Sequence, residues 1–419
     1  MRREMERHMG QPEEKRAGRK ILSVVVPMYQ AEAYIARCLD SFLIREPEAL
    51  SRVEILVIDD GGTDGAAAIA ETYAKRYPDT YRVFHKENGG HGSGINFGIA
   101  YAEGTYFKVV DADDWVDTDA FGRLVRELER LEKGDADTDV VYTGFRWVSD
   151  NGQTGGRMGI LGRRKTRRAS MPRGQKARRP LLSERLWAGY AVASGKRGAG
   201  HTVVPGRRQA IRFPMPGRHA ESGEPFKGVV YGRTYSFDKV ADRIYMKMHH
   251  MTIRTEILKK HRIRLDEHCY YVDMEFITFP VPYVNTICFL DESVYRYRIG
   301  VDGQSVAIKS MQKNEENYDR VIRSLLEFYA RQGAQIPCSE AKKRYIASII
   351  ARMAAGKAKI LLSYPEPAGR AREWRTFDER MKAEYPEVYQ ANRNPALTVL
   401  RVTGYRTLGL LSFGVRRFY

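Results

Sequence analysis

Three aspartates follow a short apolar segment of the chain. Residues 106–110 read YFKVV, and Asp111, Asp113 and Asp114 come directly after them. Because an ionised aspartate is seldom buried without a cation, packing alone gives no reason for three carboxylates at this place. Carboxylate oxygens are the ligands that Mg²⁺ and Mn²⁺ prefer, and these ions usually bind substrate phosphates as well. The pattern therefore predicts a divalent-metal site that takes a diphosphate.

A second acidic pair lies nearer the N-terminus, in the sequence DDGGTD. Asp59 and Asp60 could accept hydrogen bonds from a nucleobase, and the glycines after them allow a tight turn close to a ligand. A helix N-cap at Thr63 or Asp64 would explain one polar residue of this segment, but it would not explain the pair.

A third polar segment is rich in glycine. Residues 86–94 read KENGGHGSG and lead into a helical pattern, so their backbone N–H groups could bind a phosphate. The dinucleotide fingerprint GxGxxG does not fit these glycines, and the pattern GxxxxGK[ST] occurs nowhere in the chain. The second absence counts against a P-loop nucleotidase.

The histidines give less specific signals. His91 lies within the glycine-rich segment, where it could contact a ligand or simply occupy a turn. His249 and His250 are adjacent, so they cannot easily face one metal from a regular helix or strand. We interpret this pair as structural or substrate-side residues and not as zinc ligands.

The elements that must position these residues alternate along the first part of the chain. Short apolar, β-branched runs predict strands at residues 21–26, 53–58, 81–84, 106–110 and 140–145. Helical patterns separate them at residues 31–43, 64–76, 94–102 and 118–133. This alternation indicates an α/β fold with a mostly parallel sheet flanked by helices on both faces. Because ligands of such sheets bind beyond the carboxyl ends of the strands, the polar loops are expected on one rim.

The positive charge is concentrated in one stretch. The chain of 419 residues has a formal net charge of +18, and residues 155–225 alone contain 17 Lys and Arg against three acidic residues. Gly, Pro, Arg and Ser replace any regular pattern there, which predicts a poorly ordered, basic insertion at residues 152–228. Basic runs can bind nucleic acid or an anionic membrane, but no aromatic residues alternate with the charges to stack bases. We therefore do not expect nucleic acid as a partner.

Residues 21–145 resemble the N-terminal half of a glycosyltransferase family 2 enzyme with the GT-A fold. The matching segments read SVVVPMYQAEAYIARCLDSFL, VEILVIDDGGTDG and KENGGHGSGINFGIAYAEGTYFKVVDADDWV, and a looser match continues through YYVDMEF and YRYRIGVDGQS. The resemblance implies a Rossmann-like, nucleotide-sugar-binding α/β domain and a divalent cation, Mg²⁺ or Mn²⁺. Its boundaries predict a charged extension at 1–19, a nucleotide-sugar-binding half at 20–151, an acceptor half at 229–310 and a helical region at 311–419.

The resemblance also assigns roles to individual positions. Pro27 and Tyr29 would flank a nucleobase that Asp59 and Asp60 bind. Asp113 would ligate the metal, Asp111 would contact the ribose or the metal, and Asp114 would orient the donor sugar. The remaining substrate-binding positions that it implies are Asn88, Gly89, His91, Asn96, Glu275, Arg298 and Gln304.

The base that deprotonates the acceptor would come from the acidic motif YYVDMEF. The family often has Glu-Asp at this place, whereas this chain has Val272 and Asp273, with Glu275 two positions later. Residues two apart on a helix do not share a face, so only one carboxylate can point at the acceptor. Asp273 is the preferred base, Glu275 is the alternative, and both could also be surface charges. Arg296, Arg298 and Gln304 could close over the diphosphate.

These features together predict an inverting, metal-dependent glycosyltransferase. Its expected donor is a UDP-sugar, and its expected acceptor is a hydroxyl of a glycan or lipid-linked acceptor in cell-surface polysaccharide synthesis. Two alternatives stay open: a binding protein for nucleotide sugars or nucleic acid without turnover, and a sugar-phosphate nucleotidyltransferase. The second would need a Gly-rich, basic triphosphate loop near the first strand, which the chain lacks.

Composition also suggests where the protein acts. The N-terminal residues lack the apolar core of a signal peptide, no stretch reaches the roughly 18 apolar residues of a membrane span, and the four cysteines are widely separated. These observations predict a cytoplasmic protein. The tail at residues 396–419 mixes apolar residues with arginines, which indicates either a helix packed on the core or peripheral contact with the inner face of the membrane.

Overall fold

A buried sheet forms the centre of the protein. The computed structural model describes residues 19–134, 137–149, 228–299, 305, 307–364 and 367–418. Almost all of the predicted insertion and N-terminal extension, together with Gln304, lie outside these residues. Every residue of the first two strands is buried, as expected for strands that helices cover on both faces.

The described residues form nine strands in one mixed sheet. The strands are β1 (Leu22–Met28), β2 (Val53–Asp59), β3 (Tyr81–His85), β4 (Tyr106–Val109), β5 (Trp115–Val116), β6 (Val140–Ser149), β7 (Thr234–Ser236), β8 (Met251–Arg254) and β9 (Thr286–Ile299). Their order is β3-β2-β1-β4-β8-β6-β9-β5, with β7 also paired to β9. Strands β3, β2, β1 and β4 run parallel, β8 is antiparallel to both its neighbours, and β6 is parallel to β9.

Helices cover both faces of the sheet. Before β6 they are α1 (Ile35–Asp40), α2 (Pro47–Ser51), α3 (Ala66–Arg76), α4 (His91–Tyr101) and α5 (Thr118–Lys133). Between β7 and β9 they are α6 (Phe237–Val240), α7 (Thr255–Lys260) and α8 (Asp273–Thr278), with short 3₁₀ turns at Ala241–Arg243, Met248–His250 and Val281–Tyr283. The C-terminal helices are α9 (Ile308–Lys313), α10 (Glu315–Ala330), α11 (Glu340–Leu362), α12 (Pro367–Glu384), α13 (Pro386–Ala391), α14 (Pro395–Val402) and α15 (Leu408–Phe418).

Alternate residues of β1 point into two separate cores. Val24 and Val26 pack with the buried residues of α1, α3 and α5 on one face. Val25 faces the other side, where α4, α7 and α8 meet the C-terminal helices α10 and α11. The period of two along a strand produces this division. The C-terminal region is therefore packed against the same sheet that carries the polar loops.

The predicted α/β fold with a C-terminal helical region is confirmed. Helix α5 has the predicted bounds because its sequence supplies both periodicity and a cap: the Asp117 carboxylate accepts a hydrogen bond from the N–H of Ala120 at 3.0 Å. The parallel arrangement extends from β3 to β4 and gives way to mixed pairing beyond it. Strand β8 causes the change, because it enters between β4 and β6 from a later part of the chain.

Candidate active site

Four carboxyl groups meet beyond the end of β4. Asp111, Asp113 and Asp114 lie in the loop between β4 and β5, and Asp273 is the first residue of α8. The charge of Asp111 influences the other three electrostatically. The structure thus brings the predicted metal-binding segment and the predicted base into one cluster, although about 160 residues separate them in sequence.

Asp114 is the buried member of this cluster and is held from both sides. The hydroxyl of Tyr295 donates to its Oδ2 at 2.5 Å, and the backbone N–H of Arg298 donates to its Oδ1 at 2.7 Å. Burial, together with the charges of Asp113 and Asp111, raises the pKa of Asp114 well above its ordinary value. Both of its partners come from β9.

Asp111 has a histidine as its main partner. The Nε2 atom of His91 lies 2.8 Å from Asp111 Oδ1, and the Tyr295 hydroxyl lies 3.4 Å from Oδ2. Burial alone would raise the pKa of Asp111, but His91 outweighs this effect and lowers it. Burial likewise opposes protonation of His91, and Asp111 outweighs it and raises the His91 pKa. The sequence left open whether His91 contacts a ligand or simply occupies a turn. In this structure it contacts the carboxylate of Asp111.

Asp113 is exposed and opens into a cleft. The cleft has a volume of about 190 Å³, and two guanidinium groups line it, each placed over an aromatic ring. That of Arg37 lies 3.3 Å from the centre of the Trp115 ring, and that of Arg298 lies 3.9 Å from the centre of the Tyr34 ring. The cleft walls partly desolvate Asp113, and Asp111 repels it, so the pKa of Asp113 is raised. An anion that carries a divalent cation would satisfy both the arginines and the carboxylate.

The two candidate bases have different surroundings. Burial and the nearby charge of Asp111 raise the pKa of Asp273, whereas the charge of His91 opposes this shift. Glu275 is fully buried, and its Oε2 accepts a hydrogen bond from the backbone N–H of Asp266 at 2.8 Å. Asp273 therefore belongs to the acidic cluster, and Glu275 supports the loop that precedes α8.

The acidic pair at the end of β2 is bound by the chain itself. The Asp60 carboxylate accepts hydrogen bonds from Lys86 Nζ at 2.6 Å and from the backbone N–H groups of Gly89 at 3.0 Å and Gly90 at 2.7 Å. The Asp59 carboxylate accepts one from the N–H of Gly62 at 3.0 Å, and its other oxygen lies 2.9 Å from His85 Nδ1. These contacts show that both residues shape the neighbouring loops.

Of the other predicted site residues, Tyr29 is exposed, whereas Pro27 and Asn88 contact other segments of the chain. Tyr29 is 55% exposed at the end of β1. Pro27 is buried against α4, where a Cβ atom at Gly94 would lie 2.9 Å from the Pro27 Cβ. Asn88 donates to the Asp60 carbonyl at 2.9 Å.

Asn96 clamps α4 to a later loop. Its side chain donates to the carbonyl of Leu265 at 2.9 Å and accepts from the N–H of the same residue at 2.8 Å. The backbone of α4 at Gly92 closely approaches this loop. Only glycine fits there, because a Cβ atom at Gly92 would lie 2.2 Å from the Asp266 carbonyl oxygen. A larger groove of about 620 Å³ lies between α4 and this loop, and none of the four clustered carboxylates lines it.

Two ionisable residues lie beneath the cluster: Lys108, which sequence reasoning missed, and His249, which it interpreted as a structural or substrate-side residue. Lys108 of β4 is fully buried, its Nζ donates to the carbonyls of His249 at 3.0 Å and Met251 at 3.3 Å, and burial lowers its pKa to about 7. The ring nitrogens of His249 are both buried without a hydrogen-bond partner, and burial lowers the His249 pKa to about 3. A single lysine within an apolar strand was the available signal for Lys108. The adjacency of the histidine pair obscured His249.

The cluster suits a divalent cation. Three of its carboxyl groups have raised pKa values, chiefly because they are desolvated and in addition because neighbouring aspartates repel them. One oxygen each of Asp111 and Asp114 and one nitrogen of His249 lie within 4.8 Å of one another. Oxygen and imidazole donors at such short separations fit the ligand chemistry of Mg²⁺ and Mn²⁺ for the oxygens and of transition metals for the nitrogen.

Comparisons with known proteins find similar sequences and a similar fold. The family model for Glycosyl transferase family 2 matches residues 23–179. Among curated proteins, the uncharacterized glycosyltransferase EpsJ of Bacillus subtilis is 41% identical over 134 residues, which are 32% of this chain and 36% of EpsJ. The minor teichoic acid biosynthesis protein GgaB of the same organism is 32% identical over 103 residues, 25% of this chain and 11% of GgaB. The matches thus span about a third or less of these relatives.

One solved structure shares the fold over nearly the whole chain. S. aureus TarS 1-349 in complex with UDP-GlcNAc superposes with a TM-score of 0.53 and 18% identity, covering 93% of this chain and 90% of that one. A longer S. aureus TarS structure gives a TM-score of 0.54 and 18% identity over 93% of this chain and 55% of its own. At this level of identity the likeness shows a shared GT-A fold.

Proposed function

We propose that this chain, whose residues 23–179 belong to glycosyltransferase family 2, is an enzyme that transfers a sugar from a nucleotide-sugar donor to a hydroxyl group. The observation that carries the proposal is the acidic cluster. The pKa values of Asp113, Asp114 and Asp273 are raised beside a cleft that two arginines line. Perturbed carboxyl groups in a cleft are a feature of sites that perform acid–base or metal chemistry.

The donor diphosphate would lie in the cleft beside Asp113. A divalent cation, when bound, supplies a Lewis acid that stabilises negative charge on the departing nucleoside diphosphate. Asp111 and Asp113 would hold that cation, as the sequence resemblance implies. Arg37 and Arg298 would orient phosphate oxygens from the other wall, since each guanidinium is already held over an aromatic ring.

Asp273 would act as the general base. A carboxylate with a raised pKa accepts a proton from a hydroxyl more readily than an ordinary aspartate, because the optimum lies nearer the working pH. One base and one direct displacement at the anomeric carbon invert its configuration. Glu275 is a weaker candidate because it is buried and bonded to the backbone of Asp266.

The nucleobase would lie over the exposed ring of Tyr29. That ring is 55% exposed, which leaves its face available for stacking. Asp59 and Asp60 keep their predicted role in binding the base through lone pairs that their chain partners do not use. The complex of TarS with UDP-GlcNAc supports a UDP-sugar as donor. The name of GgaB supports a surface polysaccharide as the acceptor.

The proposal is tested with purified full-length chain, Mn²⁺ or Mg²⁺, and a panel of nucleotide sugars. We expect one donor class to bind and to be hydrolysed slowly without acceptor, and Asp113→Asn to remove the hydrolysis. Asp119→Asn is the matched control, because Asp119 is an exposed aspartate on α5 outside the cleft. Binding without hydrolysis or transfer would instead indicate a binding protein. Hydrolysis that Asp113→Asn leaves intact would contradict the metal assignment.

The C-terminal helices offer a surface for a lipid-linked acceptor. Within the described residues no helix combines the length and apolar character that a membrane span requires. Helices α14 and α15 bury Leu400 and Leu411 in a core with α11 and α12, but their outer side chains are exposed: 83% for Val402, 76% for Leu410 and 65% for Phe413. Residues 392–419 include five arginines and no acidic residue. Apolar side chains beside arginines favour contact with an anionic membrane surface.

Vesicle binding tests this surface. The full chain is expected to sediment with phosphatidylglycerol-containing vesicles and not with phosphatidylcholine vesicles, and the double change Leu410→Glu and Phe413→Glu is expected to abolish sedimentation. Val230→Glu changes a residue that is also exposed, at 59%, but lies outside the C-terminal helices. An equal loss with Val230→Glu, or no sedimentation of the unchanged protein, would refute the membrane contact.

A further inference from the structure

His249 lies beneath the acidic cluster in an unusual state. It belongs to the 3₁₀ turn Met248–His250, just before β8, and its ring packs edge-on against Tyr295 at 4.5 Å and Tyr297 at 4.8 Å between ring centres. Neither ring nitrogen reaches solvent or a hydrogen-bond partner. An unsatisfied buried polar group costs about 1–3 kcal/mol, and among the described residues His249 is the one with two such side-chain atoms.

The neighbouring histidine shows what a structural role looks like at this position. His250 accepts a hydrogen bond at Nδ1 from the backbone N–H of Lys247 at 3.0 Å, and its ring stacks on Tyr142 with 4.4 Å between centres. His249 has aromatic neighbours but no such hydrogen bond. The two residues occupy adjacent positions of one turn, His249 partly buried and His250 fully buried, so they can be compared directly.

The position of His249 is fixed by its backbone. Lys108 donates a hydrogen bond to the His249 carbonyl at 3.0 Å, from a side chain that is itself fully buried in β4. This hydrogen bond holds the backbone, and the rings of Tyr295 and Tyr297 limit where the imidazole can lie. Pre-positioning of this kind is typical of residues that bind metals or substrates.

The ring approaches the carboxylates closely enough to share one ion with them. A His249 nitrogen and single oxygens of Asp111 and Asp114 all lie within 4.8 Å of one another. Each carboxylate oxygen of Asp114 already has one partner, the Tyr295 hydroxyl or the Arg298 N–H, and each can accept a second. Asp111 thus belongs to the group with Asp114 and His249. It also belongs to the pair of Asp111 and Asp113 that the sequence resemblance assigns to the metal.

We propose that a ring nitrogen of His249 is a ligand of the divalent cation, together with Asp111 and Asp114. The inference rests on the proposed function, which supplies the cation, and adds to it the identity of an inner ligand. A nitrogen ligand favours a transition-metal ion over Mg²⁺, whose protein ligands are oxygens. The chain should therefore bind Mn²⁺ more tightly than Mg²⁺. Asp113, which the proposed function also assigns to the cation, would approach it from the open cleft.

Pulsed electron paramagnetic resonance of bound Mn²⁺ tests the assignment directly. The full chain is loaded with Mn²⁺ and UDP, and the spectrum is searched for coupling to a histidine ring nitrogen. Growth on isotopically labelled histidine identifies that coupling without any substitution. His249→Gln is expected to remove the coupling and to weaken Mn²⁺ binding about tenfold or more. His250→Gln is the adjacent matched control, and His91→Gln tests the other imidazole near Asp111.

The outcomes separate the inference from the function on which it rests. A labelled-histidine coupling that disappears in His249→Gln and survives in the other two variants supports the assignment. Mn²⁺ and UDP that bind without histidine coupling, or with a coupling lost only in His91→Gln, overturn it and leave the proposed function standing. Failure of the chain to bind Mn²⁺ at all, with or without UDP, overturns both. If His249→Gln does not fold, the labelled unchanged protein and His91→Gln still decide between the two histidines.

Discussion

Two groups of acidic residues lie at the carboxyl ends of β2 and β4, the parallel strands on either side of β1, and their surroundings are opposite. After β2, Asp60 accepts hydrogen bonds from Lys86, Gly89 and Gly90. After β4, Asp113 and Asp114 lie among other carboxylates, and their pKa values are raised. The first group is held by hydrogen-bond donors of the chain, whereas the second is where we propose that a cation binds. Acidic residues at similar places in a fold can thus serve its stability or its chemistry, depending on the donors around them.

The largest effect is expected from changing Asp273, the proposed base in the acidic cluster after β4. Asp273→Asn keeps the shape of the side chain but cannot take a proton, so we expect kcat to fall by roughly 10²–10⁴ while donor affinity is retained. Sugar transfer and donor binding by calorimetry measure the two quantities. If Glu275→Gln abolishes transfer and Asp273→Asn leaves it intact, the base has been assigned to the wrong carboxylate.

Two substitutions, one in each acidic group, test whether the groups after β2 and β4 differ in this way. Asp113→Asn is expected to lower activity by about a hundredfold and to change the free energy of unfolding by less than about 0.5 kcal/mol, because Asp113 is exposed. Asp60→Asn is expected to lower the free energy of unfolding by roughly 2–3 kcal/mol, because hydrogen bonds to a charged group are lost. Urea unfolding and transfer assays are run on both proteins.

The proposed difference between the two acidic groups is wrong if Asp113→Asn and Asp60→Asn change activity and stability in the same way. A large loss of stability in Asp113→Asn would mean that the cluster after β4 stabilises the fold. A full loss of transfer in Asp60→Asn without any loss of stability would mean that the pair after β2 acts chiefly on the donor.

The smallest expected effect is that of Lys108, which is buried beneath the acidic cluster after β4. Burial lowers the pKa of Lys108 to about 7, whereas the unfolded chain keeps a lysine pKa of about 10.4. Between these values the unfolded state binds more protons, so stability rises with pH by up to about 1.4 kcal/mol per pH unit. Lys108→Met should remove this component, measured as the difference in unfolding free energy between pH 7 and pH 9. An unchanged pH dependence in Lys108→Met would show that Lys108 stays charged in the folded protein.

Local sequence patterns predicted the strands and loops of the donor side well. The apolar runs that became β1, β2, β3 and β4 are short and separated by strong turn residues, so their period and ends can be read directly. Asp111, Asp113 and Asp114 could be found in the same way, because charge at the end of an apolar strand is a local signal. The resemblance to family 2 added Asp273, which no local pattern indicates as a base.

Contacts between distant segments could not be predicted from the sequence. Strand β8 enters the sheet between β4 and β6, and only that insertion brings His249 beneath Asp111. Similarly, Asn96 could be recognised as a polar residue of a matching motif, but its bond to Leu265 depends on a loop far along the chain. The predicted roles in nucleobase and sugar binding stay predictions, since they concern a ligand and not the fold.

The hydrogen bonds of Tyr295 determine when, during folding, the acidic cluster can form. Its hydroxyl joins Asp114 across 181 positions of the chain and joins the backbone of Asp111 across 184. Closing so long a loop is slow, because the lost chain entropy is repaid only when β9 has entered the sheet. A nascent chain therefore exposes its carboxylates as ordinary, solvated acids throughout most of its synthesis. Only the completed sheet desolvates them, so the proposed binding of nucleotide and metal should begin as one of the last events of folding.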